Sequence, residues 1–395
     1  MKILDSKIMR KIINYPFSMI NKGFKNAKNK NINIIDFGIG DPKTLPPQNV
    51  LNNIGRFAYK RSGHGYPDYI GDEYFRRVCA YYLYDNYNVV IDYNEQISST
   101  IGSKEAIFNF PIGFINPGDI VICPTPGYPV YQIGTRLRGG VVYNVSLEEK
   151  NNFLIDFESI PNEVAIKAKL IWINYPNSPT GVFPTKKWLK MLVAWAKKFN
   201  IIIASDEGCY HEFYSDTVPI SILEVQQEGV VTFYSLSKIC NMTGYRIGFV
   251  AGDSKIVRIF RRVKTNIDSG SPVFIQDVAC LALKNKKFIF NLRNSLIKKR
   301  VIMNSSFFKI GLKLSKSTSS LYLWQKVPIG VTDIEFARKL MLLGIITIPG
   351  TLISENIDGY NPGAGYIRVA LVPSISRVKQ ASQRILDFFK NINFK

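Results

Sequence analysis

Short apolar segments alternate with helical segments through the middle of this chain, and this alternation restricts the folds that it can adopt. The apolar segments have the length of buried strands and lie at residues 119–123, 169–174, 201–205, 230–234 and 247–250. Apolar strands joined by helices form a mostly parallel sheet that is covered on both faces. Ligands bind such a sheet at the carboxyl ends of its strands. The sequence therefore predicts an α/β fold whose functional residues lie in the loops after these strands.

The composition is that of a soluble globular protein. The chain has 395 residues, of which 46% are apolar, and this is enough for two domains with large cores. The N-terminus lacks the apolar centre of a signal peptide, and no apolar run is long enough to span a membrane. The five cysteines are scattered and form no Cys-x-x-Cys pair, which is typical of reduced thiols. We therefore expect a cytoplasmic protein.

The net charge of +21 raises the question of a nucleic-acid partner. The lysines are spread along the chain, and no arginine-rich arm or nucleic-acid-binding motif is present. We therefore expect neither a nucleic acid nor a membrane as a partner. The chain has two histidines, His64 and His211, so a zinc site built on histidines is not expected and we predict no metal.

The segment 234–249 contains the most reactive combination of residues. Ser235, Ser237 and Lys238 follow the apolar segment 230–234, and Arg246 comes after seven further residues. A lysine at a strand end becomes a nucleophile when its surroundings desolvate it. Two hydroxyls and a guanidinium suit a phosphate group. This combination is what pyridoxal 5′-phosphate needs, because its aldehyde condenses with an amine and its phosphate anchors the ring.

This spacing resembles the lysine segment of the fold-type I pyridoxal-phosphate aminotransferases, class I/II. The resemblance extends from Tyr15 to the C-terminus and implies an aminotransferase that carries pyridoxal 5′-phosphate on Lys238. It also implies a large domain at residues 49–290, with a mostly parallel, seven-stranded sheet between helices. Residues 1–48 would form an N-terminal arm and part of a smaller α+β domain, which residues 291–395 would complete.

Two further segments are candidates for polar cofactor contacts. Gly102, Ser103 and Lys104 open a helix, and the N–H groups at a helix start bind anions, so this turn is a second phosphate contact. Asp206 ends an apolar strand, where a buried carboxylate is costly unless a cationic ligand accompanies it. The resemblance implies that Asp206 holds the protonated pyridine nitrogen of the cofactor.

The resemblance also implies two aromatic contacts. Tyr128 matches the family position whose ring stacks on the face of the pyridine. Tyr66 matches the tyrosine that reaches the phosphate in the neighbouring subunit's site. We therefore expect a homodimer with composite active sites.

Two positions depart from the family pattern. Within the loop 174–181, Ser178 stands where an asparagine usually hydrogen-bonds the 3′-oxygen of the ring. Serine donates the same bond but reaches less far, and either Asn174 or Asn177 could compensate. Tyr210 lies one residue farther from the preceding aspartate than the family's tyrosine does, and a bulge of one residue could return it to the 3′-oxygen.

Substrate recognition is expected to depend on Arg368. This residue lies within the apolar segment 365–371, and a buried arginine needs an anion as its partner. The resemblance implies that the anion is the α-carboxylate of an amino acid, held bidentately. It also implies that Gly40 lies against the same carboxylate.

Within the family, the segments around Tyr15, Lys104 and Asn266 look most like those of the LL-diaminopimelate aminotransferases, which serve lysine and cell-wall precursor synthesis. The resemblance implies that these three residues meet the distal end of a long zwitterionic substrate, with 2-oxoglutarate or glutamate as the second substrate. Alanine, aspartate and N-succinyl-diaminopimelate aminotransferases share the scaffold and remain alternatives. A lyase on this fold and a non-catalytic relative that binds the cofactor or DNA are further alternatives.

Overall fold

The computed structural model of the protein describes residues 4–12, 33–42, 44–207, 214 and 216–390. The strands are β1 (Ile35–Asp36), β2 (Ile97–Thr100), β3 (Ile120–Thr125), β4 (Val141–Ser146), β5 (Ala168–Ile173), β6 (Ile202–Asp206), β7 (Val230–Ser235), β8 (Gly248–Gly252), β9 (Tyr322–Lys326), β10 (Ile345–Ile346), β11 (Ile348–Pro349) and β12 (Tyr366–Ala370). The α-helices are α1 (Gln48–Lys60), α2 (Glu73–Tyr87), α3 (Ser103–Asn109), α4 (Val130–Leu137), α5 (Asn162–Lys167), α6 (Lys186–Lys198), α7 (Leu236–Ile239), α8 (Ser254–Lys264), α9 (Val273–Leu283), α10 (Lys286–Lys309), α11 (Asp333–Leu342) and α12 (Ile375–Phe389).

The largest sheet of the described residues has seven strands in the order β2-β8-β7-β6-β5-β3-β4. Neighbouring strands run parallel, except that β8 is antiparallel to both β2 and β7. The prediction of a mostly parallel, seven-stranded sheet is therefore confirmed. Because the carboxyl ends of β3, β5, β6 and β7 meet at one edge, the loops that follow these strands converge there.

The antiparallel strand β8 brings two predicted cofactor residues to the same edge. β7 ends at Ser235, and the chain then turns back so that Gly248 pairs with Ser235. Arg246, two residues before the start of β8, therefore returns to the edge where Lys238 lies. A Cβ at Gly248 would collide with the backbone oxygen of Tyr234, so this close approach of the two strands requires glycine.

Apolar side chains cover both faces of this sheet, as expected for strands joined by helices. Along β5, Leu170 and Trp172 belong to the core on one face, whereas Ile171 and Ile173 belong to the core on the other. This alternation follows from the strand geometry, in which successive side chains point to opposite faces. The helices supply the apolar residues that close both cores, so the sheet is a rigid support for the loops at its edge.

A separate hydrophobic core, called the second core below, lies beside the large sheet and the cores on its two faces. It includes side chains from β1, from the three-stranded sheet β11-β12-β9 and from the helices α10, α11 and α12. Phe37, Met303, Phe307 and Phe336 are fully buried in it. The contribution of residues near the N-terminus to this core supports the proposed small domain, whose boundaries stay a prediction.

The structure adds elements that the sequence patterns did not indicate. They include β4, α4 and α12. Among the described residues, every helix is too short or too polar to cross a bilayer.

Candidate active site

A cavity of about 280 Å³ lies at the carboxyl ends of the sheet strands and is also lined by Tyr322 and Arg368, on strands of the second core. The residues around it include twelve that the sequence singled out: Gly40, Ser103, Lys104, Tyr128, Asn174, Ser178, Asp206, Ser235, Ser237, Lys238, Arg246 and Arg368. They come from seven separate segments, which the fold brings together. Ile39, Thr243 and Tyr322 also line the cavity, and sequence reasoning gave them no role.

The predicted reactive lysine lies at the start of a short helix. Ser235 ends β7, and its hydroxyl oxygen accepts a hydrogen bond from the N–H of Ser237 at 3.2 Å, which caps α7. Lys238 follows on this helix, and its amine reaches across the cavity to donate to the backbone oxygen of Gly40. The amine therefore lies between the large sheet and the segment that contains Gly40.

A cluster of cationic side chains and hydroxyls lines the cavity. Arg246 donates to the backbone oxygen of Thr243 at 2.7 Å and to the hydroxyl of Ser237 at 3.3 Å. Gly102 has a φ of +76°, and a Cβ there would lie only 2.5 Å from Nη2 of Arg246. Burial, and then the charge of Arg246, lower the pKa of Lys104. This concentration of positive charge beside a helix start suits a phosphate group.

A buried carboxyl group, that of Asp206, also lines the cavity. Oδ2 of Asp206 accepts a hydrogen bond from the hydroxyl of Tyr131 at 2.8 Å, and Asn174 donates to the backbone oxygen of Asp206 at 2.6 Å. Oδ1 of Asp206 is buried and has no hydrogen-bond partner among the described residues. Burial raises the pKa of Asp206 to about 7. A cationic N–H would satisfy this oxygen and favour the ionised carboxylate, so the residues fit a protonated pyridine nitrogen.

Tyr131 is a site residue that sequence reasoning missed. Its ring stacks on Trp172 with centroids 4.8 Å apart, and it meets Tyr128 edge to face at 5.7 Å. The hydroxyl is thereby held against Asp206. Tyr131 lies in the first turn of α4, three residues after Tyr128, which precedes the N-cap Pro129. Its closeness in sequence to the predicted stacking residue was the available signal.

The loop after β5 separates the candidates for the 3′-oxygen contact. Asn174 and Ser178 both line the cavity, and Oδ1 of Asn174 accepts a hydrogen bond from the N–H of Ser178 at 2.8 Å. Asn177 instead directs its side-chain oxygen to the N–H and hydroxyl of Thr180, at 3.1 and 2.9 Å, within its own turn. The arrangement favours Asn174 and Ser178 over Asn177, and the assignment stays a prediction.

Arg368, on β12, also lines the cavity. It is 5% exposed, and it donates to the backbone oxygen of Gly38 at 2.8 Å. Its guanidinium carbon lies 4.5 Å from the ring centroid of Tyr322. A Cβ at Gly40 would collide with the hydroxyl of Tyr322, so glycine is required for the backbone to lie this close.

Of the predicted site residues that the structure describes, Tyr66, Gly102 and Asn266 do not line this cavity. Tyr66 is 87% exposed, and Asn266 is exposed with its amide donating to the backbone oxygen of Arg262 at 2.8 Å. Tyr15 and Tyr210 lie outside the described residues, so their predicted roles stay predictions.

The loop that contains Asn266 is fixed by ionic contacts. Both carboxylate oxygens of Asp268 accept hydrogen bonds from the buried amine of Lys264, at 2.7 and 2.8 Å. It also accepts one from the N–H of Gly270 at 2.7 Å. Asp268 therefore holds its own loop in shape, and the predicted contact of Asn266 with a substrate stays a prediction.

A phosphate, an aldehyde and a basic ring nitrogen would each find a partner here, in the cationic cluster, the amine of Lys238 and the carboxyl of Asp206. The seven-stranded sheet and this site together define a fold-type I enzyme that depends on pyridoxal 5′-phosphate. More specifically, the chain belongs to the family "aminotransferase class I and II", whose sequence profile matches residues 32–385. The predictions of the family, of an aminotransferase activity and of the cofactor are confirmed.

Curated relatives and solved structures cover almost the whole chain. An LL-diaminopimelate aminotransferase of Aquifex aeolicus is 40% identical over 376 residues, which are 94% of this chain and 95% of the relative. One of Halothermothrix orenii is 37% identical over 387 residues, covering 96% and 97%. The substrate-bound structure of BacF from Bacillus subtilis superimposes with a TM-score of 0.90 at 26% identity and covers 98% of each chain.

Proposed function

We propose that this aminotransferase moves an amino group between LL-diaminopimelate and 2-oxoglutarate. The observation that carries the proposal is one cavity that joins the amine of Lys238, the carboxyl of Asp206 and the guanidinium of Arg368. The relatives from Aquifex aeolicus and Halothermothrix orenii, named for LL-diaminopimelate, support the choice of substrate. Lys104, at the cavity wall, offers a cation to the distal carboxylate.

The residues that line the cavity have separate roles in this reaction. When bound, the cofactor supplies an electron-poor ring that takes up the electron pair released at the substrate Cα. Asp206 keeps the ring nitrogen protonated. Its buried Oδ1 has no hydrogen-bond partner among the described residues, so the carboxylate and the protonated nitrogen stabilise each other's charges. Lys238 is the base that removes the proton from Cα. Arg368 binds the α-carboxylate of each substrate in turn.

We also propose a homodimer in which each chain completes the active site of the other. Tyr66 and Asn266 are exposed and away from the cavity of their own chain. Their segments are neighbours, since a Cβ at Gly270 would lie 2.7 Å from the backbone oxygen of Asp68. One surface of the chain therefore carries both residues, and a second copy is the partner that would receive them.

The location that we propose is the cytoplasm. Cys79, Cys123, Cys240 and Cys280 are buried free thiols. Cysteines without a disulfide partner suit a reducing compartment, and this supports the proposal.

The substrate assignment is tested with a panel of amino donors at fixed 2-oxoglutarate. LL-diaminopimelate should give the highest kcat/KM, and alanine should be at least 100-fold poorer because the polar groups at the distal end would stay unpaired. Lys104→Met should reduce the difference in kcat/KM between LL-diaminopimelate and alanine, and it should raise the KM for 2-oxoglutarate. If LL-diaminopimelate is inert while alanine, aspartate or N-succinyl-diaminopimelate reacts quickly, the assignment is wrong and the family membership is unaffected.

A further inference from the structure

Tyr322 lies in the cavity wall beside Arg368. It begins β9, is 5% exposed and lines the cavity. In the antiparallel pair of β9 and β12, Tyr322 is opposite Ala370 and Trp324 is opposite Arg368. Tyr322 and Arg368 are therefore diagonal neighbours on one face of the pair, a spacing that aromatic and long side chains bridge.

The ring of Tyr322 restricts the orientation of the guanidinium. The guanidinium carbon lies 4.5 Å from the ring centroid, and Nη2 donates to the backbone oxygen of Gly38 at 2.8 Å. A guanidinium held over an aromatic ring is attracted by the ring's negative face. Ordering the long arginine side chain before the substrate arrives reduces the entropy that binding would otherwise lose.

The hydroxyl of Tyr322 has a different neighbour. It lies so close to Gly40 that a Cβ there would collide with it. The ring thus contacts the arginine, whereas the hydroxyl lies against Gly40. These two effects can be separated by substitution.

We propose that Tyr322 is a positioning residue for the substrate α-carboxylate, because its ring fixes the plane of the Arg368 guanidinium. The inference rests on the proposed role of Arg368. Since both the amino donor and the 2-oxo acid present an α-carboxylate, loss of the ring weakens the binding of both substrates alike. Loss of the hydroxyl alone leaves the ring in place and has a much smaller effect.

The test compares Tyr322→Leu with Tyr322→Phe in the enzyme loaded with pyridoxal 5′-phosphate. In Tyr322→Leu, the KM values for the amino donor and for the 2-oxo acid should rise in parallel, by roughly 2- to 30-fold, while kcat changes less. Tyr322→Phe should stay within about threefold of the wild type, because it keeps the ring–guanidinium contact. Calorimetric titration with glutarate, which has carboxylates but neither an amino nor an oxo group, should show the same loss of affinity without any reaction.

Tyr366→Leu is the matched control. Tyr366 lies on β12 and stacks on Trp324 with centroids 5.1 Å apart, but it does not line the cavity. The same substitution there should affect stability and leave both KM values unchanged. A thermal unfolding midpoint for each variant separates loss of binding from loss of the fold.

Arg368→Lys separates failure of this inference from failure of the proposed function. Because lysine cannot make the bidentate contact, Arg368→Lys should raise both KM values more than Tyr322→Leu does. Unchanged KM values in Arg368→Lys would refute the proposed carboxylate contact itself. Raised values in Arg368→Lys with unchanged values in Tyr322→Leu, or equal losses in Tyr322→Leu and Tyr322→Phe, would overturn the role of the Tyr322 ring alone.

Discussion

Replacing Asp206 by asparagine should change how the stability of the cofactor-free protein depends on pH. Burial raises the pKa of Asp206 to about 7, whereas an aspartate in an unfolded chain has a pKa near 4. Between these pH values the folded protein holds a proton that the unfolded chain has lost. The contribution of Asp206 to stability is therefore fully present below about pH 4 and is lost as the pH rises to about 7.

The size of this effect follows from the difference between the two pKa values. A difference of about three units corresponds to about 4 kcal/mol of unfolding free energy, as an upper value. Asparagine is neutral at every pH. Asp206→Asn should therefore remove the contribution of this residue to the change of the unfolding free energy with pH. The amide oxygen can still accept the hydrogen bond from Tyr131. Burying the N–H₂ group costs free energy, and this cost offsets part of the stability that Asp206→Asn gains over the wild type at pH 8.

The assay is denaturant unfolding of the cofactor-free protein at pH 5, 6, 7 and 8. Glu207→Gln is the matched control, because burial raises the pKa of Glu207 to about 7 as well. Its carboxylate accepts hydrogen bonds from Ser205 and from the N–H of Ile222 instead of lining the cavity. Each variant should reduce the dependence of the unfolding free energy on pH. Only Asp206→Asn should also weaken the binding of pyridoxal 5′-phosphate. A wild-type slope in Asp206→Asn would refute the reasoning.

Three further predictions concern the cofactor and the dimer. Lys238→Ala should lose the covalently bound cofactor, seen as loss of the visible absorption band, and should lose turnover by several orders of magnitude; full activity would contradict the role of the lysine. Mixing inactive Lys238→Ala with an inactive Tyr66 variant should restore activity in hybrid dimers, and an active monomer in ultracentrifugation would exclude composite sites. Gly102→Ala should weaken cofactor binding by about 10-fold or more, because the added Cβ would lie 2.5 Å from Arg246. Gly118 is the control: its φ is +90° but no atom lies close to an added Cβ, so Gly118→Ala should bind the cofactor normally.

The strands of the large sheet could be predicted because their residues are buried on both faces. Continuous apolar runs such as 169–174 stand out in the sequence, and β5 has this pattern. The strand β4 was missed because it lies at the edge of the sheet, where Val141 is half exposed and Asn144 interrupts the apolar pattern. An edge strand has one neighbour and less burial, so its sequence carries a weaker signal.

The polar centre of the site could also be predicted, because each residue belongs to a short local pattern. Lys238 and Asp206 both follow apolar strands, and the carboxyl ends of such strands meet. Tyr131 and Tyr322 could not be assigned in this way, since their roles come from contacts with distant residues. The hydrogen bond from Tyr131 joins residues 75 positions apart, and no local pattern specifies such a contact.

The cavity is lined both by residues attached to the large sheet and by residues on strands of the second core. This has a consequence for judging whether a preparation is intact. Lys238, Asp206 and Arg246 are attached to the large sheet, whereas Tyr322 and Arg368 lie on strands of the second core. If heat or denaturant loosened the second core first, the chain would keep its bound pigment and yet stop recognising amino acids. The yellow colour of a sample would then report the condition of only one half of the molecule.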